Sequence, residues 1–374
     1  MPRRPSTRPS TSGDVLRLIR EDGVATRADL GRITGLSRPA VAARVTELVA
    51  RGLVTERADG PSTGGRPPAR LAFNAGGGAV LVANLGQSRG QVAVSDLAGT
   101  LLAHADAPPA GASTGRTLPR LLDRWAELLE SAGIDPGTVR GAGLGVPNAV
   151  EHAPGRWDGV EIGPPITARF GVPAYLDNEV NAAALGEHQA HPGVDDLMFV
   201  KVSTGIGAGL IAGGRIQRGA LGAAGEIGHV PVRDGGGTPC RCGNLDCVEA
   251  IAGSAALLAR SPADDLPGLA ALTRAGDAAT VALVRDAGRR IGEVVATAVN
   301  LLNPAVVVLG GDLTAGEPLI AGVREVVYRR STALATRSLR IEPSRLGESA
   351  GLTGCAAMVL DQILAPEAID ASPI

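Results

Sequence analysis

The sequence predicts an α/β chain in which a small winged helix-turn-helix head precedes a two-lobed body, and three observations carry that prediction. Charge is unevenly spread: the 374 residues sum to −2, yet residues 1–70 carry +6 and the remainder −8. The basic stretch has apolar residues at helical spacing around a glycine-containing turn. The rest twice repeats a run of three β-rich segments followed by helix. Aromatic content is 2% against 44% hydrophobic residues, so the core must rest on Ala, Val and Leu. No apolar run is long enough to cross a bilayer, and nothing at the N-terminus resembles a signal peptide, so a cytoplasmic protein without membrane contact is expected.

Residues 1–12, rich in Pro, Ser, Thr and Arg, read as a disordered tail, followed by a head over 13–75. A first helix is expected from about Asp14, with Val15, Leu16, Leu18 and Ile19 as its apolar stripe. Thr26 and Asp29 form a capping-box pattern before Leu30 and Ile33, and Thr34-Gly35-Leu36-Ser37 is a compact turn. Ser37 caps a third helix with Pro39 in its first turn, burying Val41, Val45, Leu48 and Val49. In this plan the last helix enters the major groove, and Ser37, Arg38, Ala40 and Arg44 are candidate contacts to double-stranded operator DNA. Leu53 to Arg57 and Arg70 to Phe73 read as a two-stranded wing, with Arg66 in Gly64-Gly65-Arg66-Pro67 shaped for a minor groove. A small helical protein-interaction domain is the alternative; charge, turn spacing and wing together favour DNA.

After Gly76-Gly77-Gly78, strands are expected over Ala79 to Leu85, Gly90 to Asp96 and Thr100 to Ala105, then a helix around Trp125 and a strand ending at Gly145-Val146-Pro147. A related order returns with Leu197 to Val202, the turn Ser203-Thr204-Gly205-Ile206-Gly207, Ala208 to Ala212, long helices and the strand Ala305 to Leu309. Two such units imply facing lobes with a cleft between them. The glycine turns at Gly86, at Gly205 with Gly207, and at Gly310-Gly311 are what a phosphate-binding cleft needs, because backbone amides approach phosphate where side chains are absent.

Between the second β-rich set and the long helices, Cys240, Cys242 and Cys247 fall within eight residues, with Gly243 supplying a tight turn and His229 upstream. One histidine and three cysteines fill a tetrahedron, which marks structural zinc with no vacancy for catalysis. A bridge between Cys240 and Cys242 is sterically poor, and Cys355, in the apolar run 354–360, reads as a buried small hydrophobe.

The segment Gly225-Glu226-Ile227-Gly228-His229, with the cysteine cluster and Glu249, resembles the signature of the ROK family of repressors and sugar kinases. Together with Thr34-Gly35-Leu36-Ser37 and Gly64-Gly65-Arg66-Pro67, the chain is similar to that family's winged-helix regulators. The resemblance implies an actin-like, ribonuclease-H-like sugar-kinase fold, with lobe 1 over 79–190 and 355–374 and lobe 2, bearing the zinc site, over 191–354. It further implies that a sugar is held by Asn178, Glu179, Glu226, His229 and Glu249, a set rich in acceptors suited to hydroxyls. Departures from the kinase pattern are equally informative. Where the family's kinases carry Asp-x-Gly-Gly-Thr, this chain has Asn84-Leu85-Gly86-Gln87-Ser88, which removes a charge that organises magnesium and puts a side chain where phosphate should approach. The base position holds Glu179 in place of Asp, and a carboxylate moved by about 1 Å can cost roughly a hundredfold in rate. Asn84, Gly86, Gln87 and Ser88, with Thr204, Gly205 and Gly207 of lobe 2, are accordingly expected to form degenerate phosphate loops. These residues predict a sugar-responsive repressor of carbohydrate metabolism without kinase activity. It would take a sugar or sugar-phosphate effector, need no ATP or magnesium, and act as a homodimer or homotetramer. The alternatives are an active ATP-dependent hexose or N-acylhexosamine kinase bearing a DNA-binding domain, and a ligand-independent DNA binder.

Overall fold

The computed structural model describes residues 10–57, 70–87, 89–110, 114–147, 156–314 and 316–371. The head consists of helices α1 (Ser12–Arg20), α2 (Arg27–Thr34) and α3 (Arg38–Ala50) with the antiparallel strands β1 (Val54–Arg57) and β2 (Arg70–Phe73). α1 starts inside the stretch expected to be tail, because Thr11 and Asp14 form a reciprocal capping box. The Thr11 hydroxyl accepts from the Asp14 amide at 3.1 Å, and the Asp14 carboxylate accepts from the Thr11 amide at 3.2 Å. Two otherwise unpaired amides are thereby satisfied. At α2 only half of the expected box forms: Thr26 accepts from the Asp29 amide, while the Asp29 carboxylate accepts from the Thr26 hydroxyl and from Arg32. In α3, Val41, Val45 and Leu48 are buried but Val49 is 37% exposed, because position 49 lies at the edge of the buried stripe. The wing tip with Gly64, Gly65, Arg66 and Pro67 lies outside the described residues.

Lobe 1 contains β3 (Ala79–Leu85), β4 (Gly90–Asp96), β5 (Leu101–Ala107), α4 (Thr114–Ser131), β6 (Val139–Val146), the short hairpin β7 (Arg156–Trp157) and β8 (Val160–Glu161), α5 (Gly163–Phe170) and β9 (Ala174–Asn178). Its sheet runs β5-β4-β3-β6-β9, an antiparallel meander extended by two parallel strands. Helix α6 (Glu179–Gln189) leads into lobe 2. There follow β10 (Leu197–Val202), β11 (Ile206–Ala212), β12 (Arg215–Ile216), α7 (Val248–Ala252), α8 (Ser254–Leu258), α9 (Leu266–Ala275), α10 (Ala278–Leu302), β13 (Val306–Gly310), α11 (Glu317–Arg330), α12 (Ala333–Thr336) and β14 (Arg340–Pro343). The second sheet, β12-β11-β10-β13-β14, repeats the order and strand directions of the first.

Helices α13 (Ala350–Ile363) and α14 (Pro366–Ala371) complete the described chain. α13 packs on β3 and β6 of lobe 1, α6 packs on β10 and β11 of lobe 2, and the two helices lie against each other between the sheets. Their contact is backbone to backbone: a Cβ on Gly354 would collide with the Ala182 carbonyl, and one on Gly186 with that of Ala350. α13 begins at Ala350, so the expected lobe boundary at 354/355 falls inside a helix. Gly351 and Gly354, poor helix formers, are kept there for packing. Cys355 is fully buried on this helix and donates to the Ala83 carbonyl at 3.2 Å.

Head and body share one apolar core, in which Val15, Leu16 and Ile19 meet Leu360, Leu364 and Ile369. Burying side chains such as Leu364 and Ile369 contributes on the order of 1.5–3 kcal/mol each. Polar ties reinforce this seam. The Gly13 amide donates to Asp370 at 2.9 Å, Arg51 at the end of α3 donates to the Ile369 carbonyl at 2.7 Å, and Arg140 of β6 donates to the Arg51 carbonyl at 2.9 Å.

Candidate ligand cleft, metal centre and nucleic-acid interface

A cleft of about 440 Å³ opens between the lobes, large enough for a small molecule. Its lining brings together all five candidate sugar ligands, Asn178, Glu179, Glu226, His229 and Glu249, with Gln87, Thr204, Gly205 and Gly207. Asn178 is the N-cap of α6, and its Oδ1 accepts from the amides of Val180 (2.8 Å) and Asn181 (3.4 Å), which commits that oxygen to the helix. Glu179 opens the helix, and its Oε2 accepts from Nζ of Lys201 at 2.5 Å; both side chains are largely buried. Glu249 sits on α7 two residues after Cys247, with its side chain 9% exposed. It accepts from the Ile206 amide at 3.0 Å and from Nε (2.8 Å) and Nη2 (3.3 Å) of Arg241. Glu226 is half exposed and lies 3.8 Å from Nε2 of His229.

Three cations escaped the sequence reasoning. Lys201 is the only lysine of the chain and immediately precedes the glycine turn, a signal that was present. Arg241 stands between two of the cysteines. Arg218 of lobe 2 pairs at 2.6 Å with Asp177, a fully buried carboxylate of lobe 1 that also accepts from the Asn178 amide and the Asn181 side chain. No pattern in the sequence links positions 41 residues apart, so this pair needed the fold.

A second cavity of about 340 Å³ adjoins the first, sharing Glu179, Lys201 and Ser203. It is lined by Asn84 and Gly86 of the first turn. Oδ1 of Asn84 is buried without a hydrogen-bond partner among the described residues. Arg89 in the same turn pairs with Glu348 and, at 3.0 Å, with Asp106. Ser88 lies outside the described residues.

His229, Cys240, Cys242 and Cys247 place one donor atom each within 4.8 Å of all the others. Gly243, at φ +93°, reverses the chain so that its amide donates back to Cys240. Nδ1 of His229 lies 3.5 Å from the Cys240 sulfur, while the Cys242 and Cys247 sulfurs are 3.6 Å apart. Burial and the neighbouring Cys242 and Cys240 push the Cys247 thiol up to about 12, whereas a backbone hydrogen bond at Asn244 holds Cys242 below its usual value. One imidazole nitrogen and three sulfurs this close together are a donor set that fits a metal ion.

In the head, Ser37 accepts from the Ala40 amide at 3.4 Å and caps α3, which fixes the helix start. Arg38 is exposed on the first turn of α3, and Arg44 donates from Nε to the Ser10 carbonyl at 3.3 Å, which ties the arm before α1 to the same helix.

Comparison with known proteins agrees with this architecture. Residues 83–362 match the ROK family and residues 10–55 a winged helix-turn-helix DNA-binding family. The chain is 30% identical over 381 residues to a putative xylose repressor of Caldicellulosiruptor sp. (strain Rt8B.4), covering 94% of this chain and 95% of that protein. It is similar in structure to a ROK family transcriptional regulator described as a homolog of the E. coli MLC protein, with a TM-score of 0.80, 25% identity and 96% of both chains covered. Similarity to a ROK hexokinase from Thermus thermophilus has a TM-score of 0.64 and 32% identity, covering 99% of the hexokinase but 76% of this chain. The chain belongs to the ROK family, joining a winged helix-turn-helix domain to that family's actin-like sugar-kinase fold.

Proposed function

We propose that this chain is a sugar-responsive transcriptional repressor, acting in the cytoplasm as a homodimer or homotetramer, whose cleft binds a sugar without phosphorylating it. The observation that carries the reading is an unbroken line from cleft to head. α6 starts at Asn178 and Glu179 in the cleft and lies on α13, which leads through α14 to the ties at Gly13 and Arg51. A ligand that draws the lobes together with different affinity in the open and closed states shifts α13, and with it the spacing of paired heads over half-sites about one helical turn apart. Full-length likeness to a named repressor supports the same reading.

Three features argue against phosphoryl transfer. Asn84 puts a neutral oxygen, buried without a partner among the described residues, at the position where the kinase pattern has an aspartate for magnesium. Gln87 puts a side chain into the phosphate turn, and Glu179 is aimed at Lys201. Three carboxylates, Glu179, Glu226 and Glu249, face two cations, Lys201 and Arg241, among the described lining residues, which favours a neutral sugar over its phosphate. Structural zinc is the ion that His229, Cys240, Cys242 and Cys247 suit. When bound it would cross-link the loop carrying Arg241 to the helix carrying Glu249.

The test is fluorescence anisotropy with operator fragments selected from genomic DNA, titrated with D-xylose, D-glucose and N-acetyl-D-glucosamine and their phosphates. A change in DNA affinity of about fivefold or more is expected with at least one neutral sugar. Affinity that no sugar or sugar phosphate moves would point to a ligand-independent binder. In parallel, a coupled-enzyme assay with ATP and magnesium should find no turnover by the natural chain, and clear turnover there would establish the kinase instead. The Asn84→Asp, Glu179→Asp double variant is the reference for partial restoration.

A further inference from the structure

Gln87 lies in the first glycine turn of lobe 1, and Arg241 stands between two metal donors of lobe 2. In the structure they meet. Arg241 donates from Nη1 to Oε1 of Gln87 at 3.3 Å, across the cleft from lobe 2 to lobe 1. The other two nitrogens of the same guanidinium are held by Glu249, and Glu249 is held in turn by the Ile206 amide. The planar fork is therefore fixed before it reaches Gln87, so little conformational freedom is lost in making the last bond. Gln87, Arg241 and Cys242 all lie at the solvent-exposed side of the cleft, whereas the pairs Lys201–Glu179 and Arg218–Asp177 join the lobes at more buried positions.

We propose that Gln87 and Arg241 form a strap across the mouth of the cleft, so that residue 87 sets how firmly the lobes close on a sugar. This inference rests on the effector reading of the cleft. A glycine at position 87 has no side chain to offer Arg241, so the change that obstructs phosphate also creates the lobe 1 half of the strap. The bond exists only while the lobes are close, so it adds to the free energy of the closed state and, by linkage, to the affinity of any ligand that prefers that state. Gln87 and Arg241 are positioning residues for the ligand.

The experiment compares full-length, metal-loaded protein with its Gln87→Gly, Gln87→Glu, Arg241→Ala and Gln87→Gly/Arg241→Ala variants. Without sugar, hydrogen exchange at residues 239–245 should quicken in Gln87→Gly, although the substitution lies on the opposite lobe. Calorimetry with D-xylose, D-glucose and N-acetyl-D-glucosamine should show about three- to tenfold weaker binding of the sugar that binds in Gln87→Gly. Gln87→Glu, which gives Arg241 a charged partner, should bind at least as tightly as the natural chain. With Ala at position 241, changing residue 87 should have no further effect, the signature of a coupled pair. Unchanged exchange at 239–245 in Gln87→Gly, or weakening by Gln87→Glu as great as by Gln87→Gly, overturns the strap. If none of the three sugars binds the natural chain, the effector reading fails, and the exchange measurement alone still decides whether the strap exists.

Discussion

In lobe 1 the hairpin between β3 and β4 presents Gln87 and Arg89, whereas in lobe 2 the hairpin between β10 and β11, at the equivalent place in an identically ordered sheet, presents Ser203, Thr204 and Gly205. Both ladders run in unbroken register up to their turns, from Ala79 opposite Asp96 to Leu85 opposite Gly90, and from Leu197 opposite Ile211 to Val202 opposite Ile206. Backbone pairing holds each hairpin whatever its tip carries. The side chains at the two tips can thus differ with no cost to the sheets. Lobe 2 has small residues at its tip, with Glu249 packed directly behind Gly205, and bears the cysteine cluster that lobe 1 lacks among the described residues.

That asymmetry can be tested most forcefully through the metal. Cys242→Ser should abolish stoichiometric zinc by elemental analysis and quicken hydrogen exchange over residues 229–249, leaving the lobe 1 strands protected. Sugar response should be lost while operator binding persists. Unchanged metal content would remove the zinc assignment. A smaller effect is expected where the lobes are joined. Gly354→Val forces a side chain between α13 and α6 and should destabilise the protein by about 1–3 kcal/mol in chemical denaturation. Because the seam serves both sheets, both lobes should lose protection together; loss confined to lobe 1 would show that they unfold independently.

The smallest effect concerns lobe 2 alone. Asp277 caps α10, accepting from the Thr280 hydroxyl at 2.6 Å and amide at 2.9 Å, and those bonds hold its carboxyl below the usual carboxylate range. A depressed folded value means that its stabilisation is complete above the unfolded value of about 3.9 and is lost as pH falls through the folded value. Replacing Asp277 with Asn should therefore flatten the acid side of the melting-temperature profile below about pH 4, with little change at neutral pH. An unaltered acid limb would mean the cap does not report on folding.

What the sequence made legible followed from periodicity and ligand spacing. The apolar stripe of α1, the meander strands of both lobes and the four metal donors all announce themselves through residues that serve one local purpose. The fifth strands, β9 and β14, were missed. Each lies at a sheet edge and carries charge, Asp177 in one and Arg340 and Glu342 in the other, so neither shows apolar alternation. The start of α13 was hidden because Gly354 answers to α6 and Gly351 to Asn84 of β3, and neither to helix propensity. Glu179, Glu226 and Glu249 were identifiable as acids of the cleft, but their partners were not. Lys201, Arg218 and Arg241 reach carboxylates 22, 41 and 8 residues away, and side-chain pairing over the two longer spans is set by the way two sheets face each other.

The clamp between α14 and the head also orders events in the making of the protein. Gly13 finds Asp370 only 357 positions later, and Leu364 and Ile369 belong to the same apolar cluster as Val15 and Leu16. A head emerging from the ribosome therefore exposes the surface that those late residues will cover, and it acquires its full packing only when α14 docks. A tag or fusion placed after α14 would therefore sit beside the winged helix-turn-helix domain and not at the far end of the molecule.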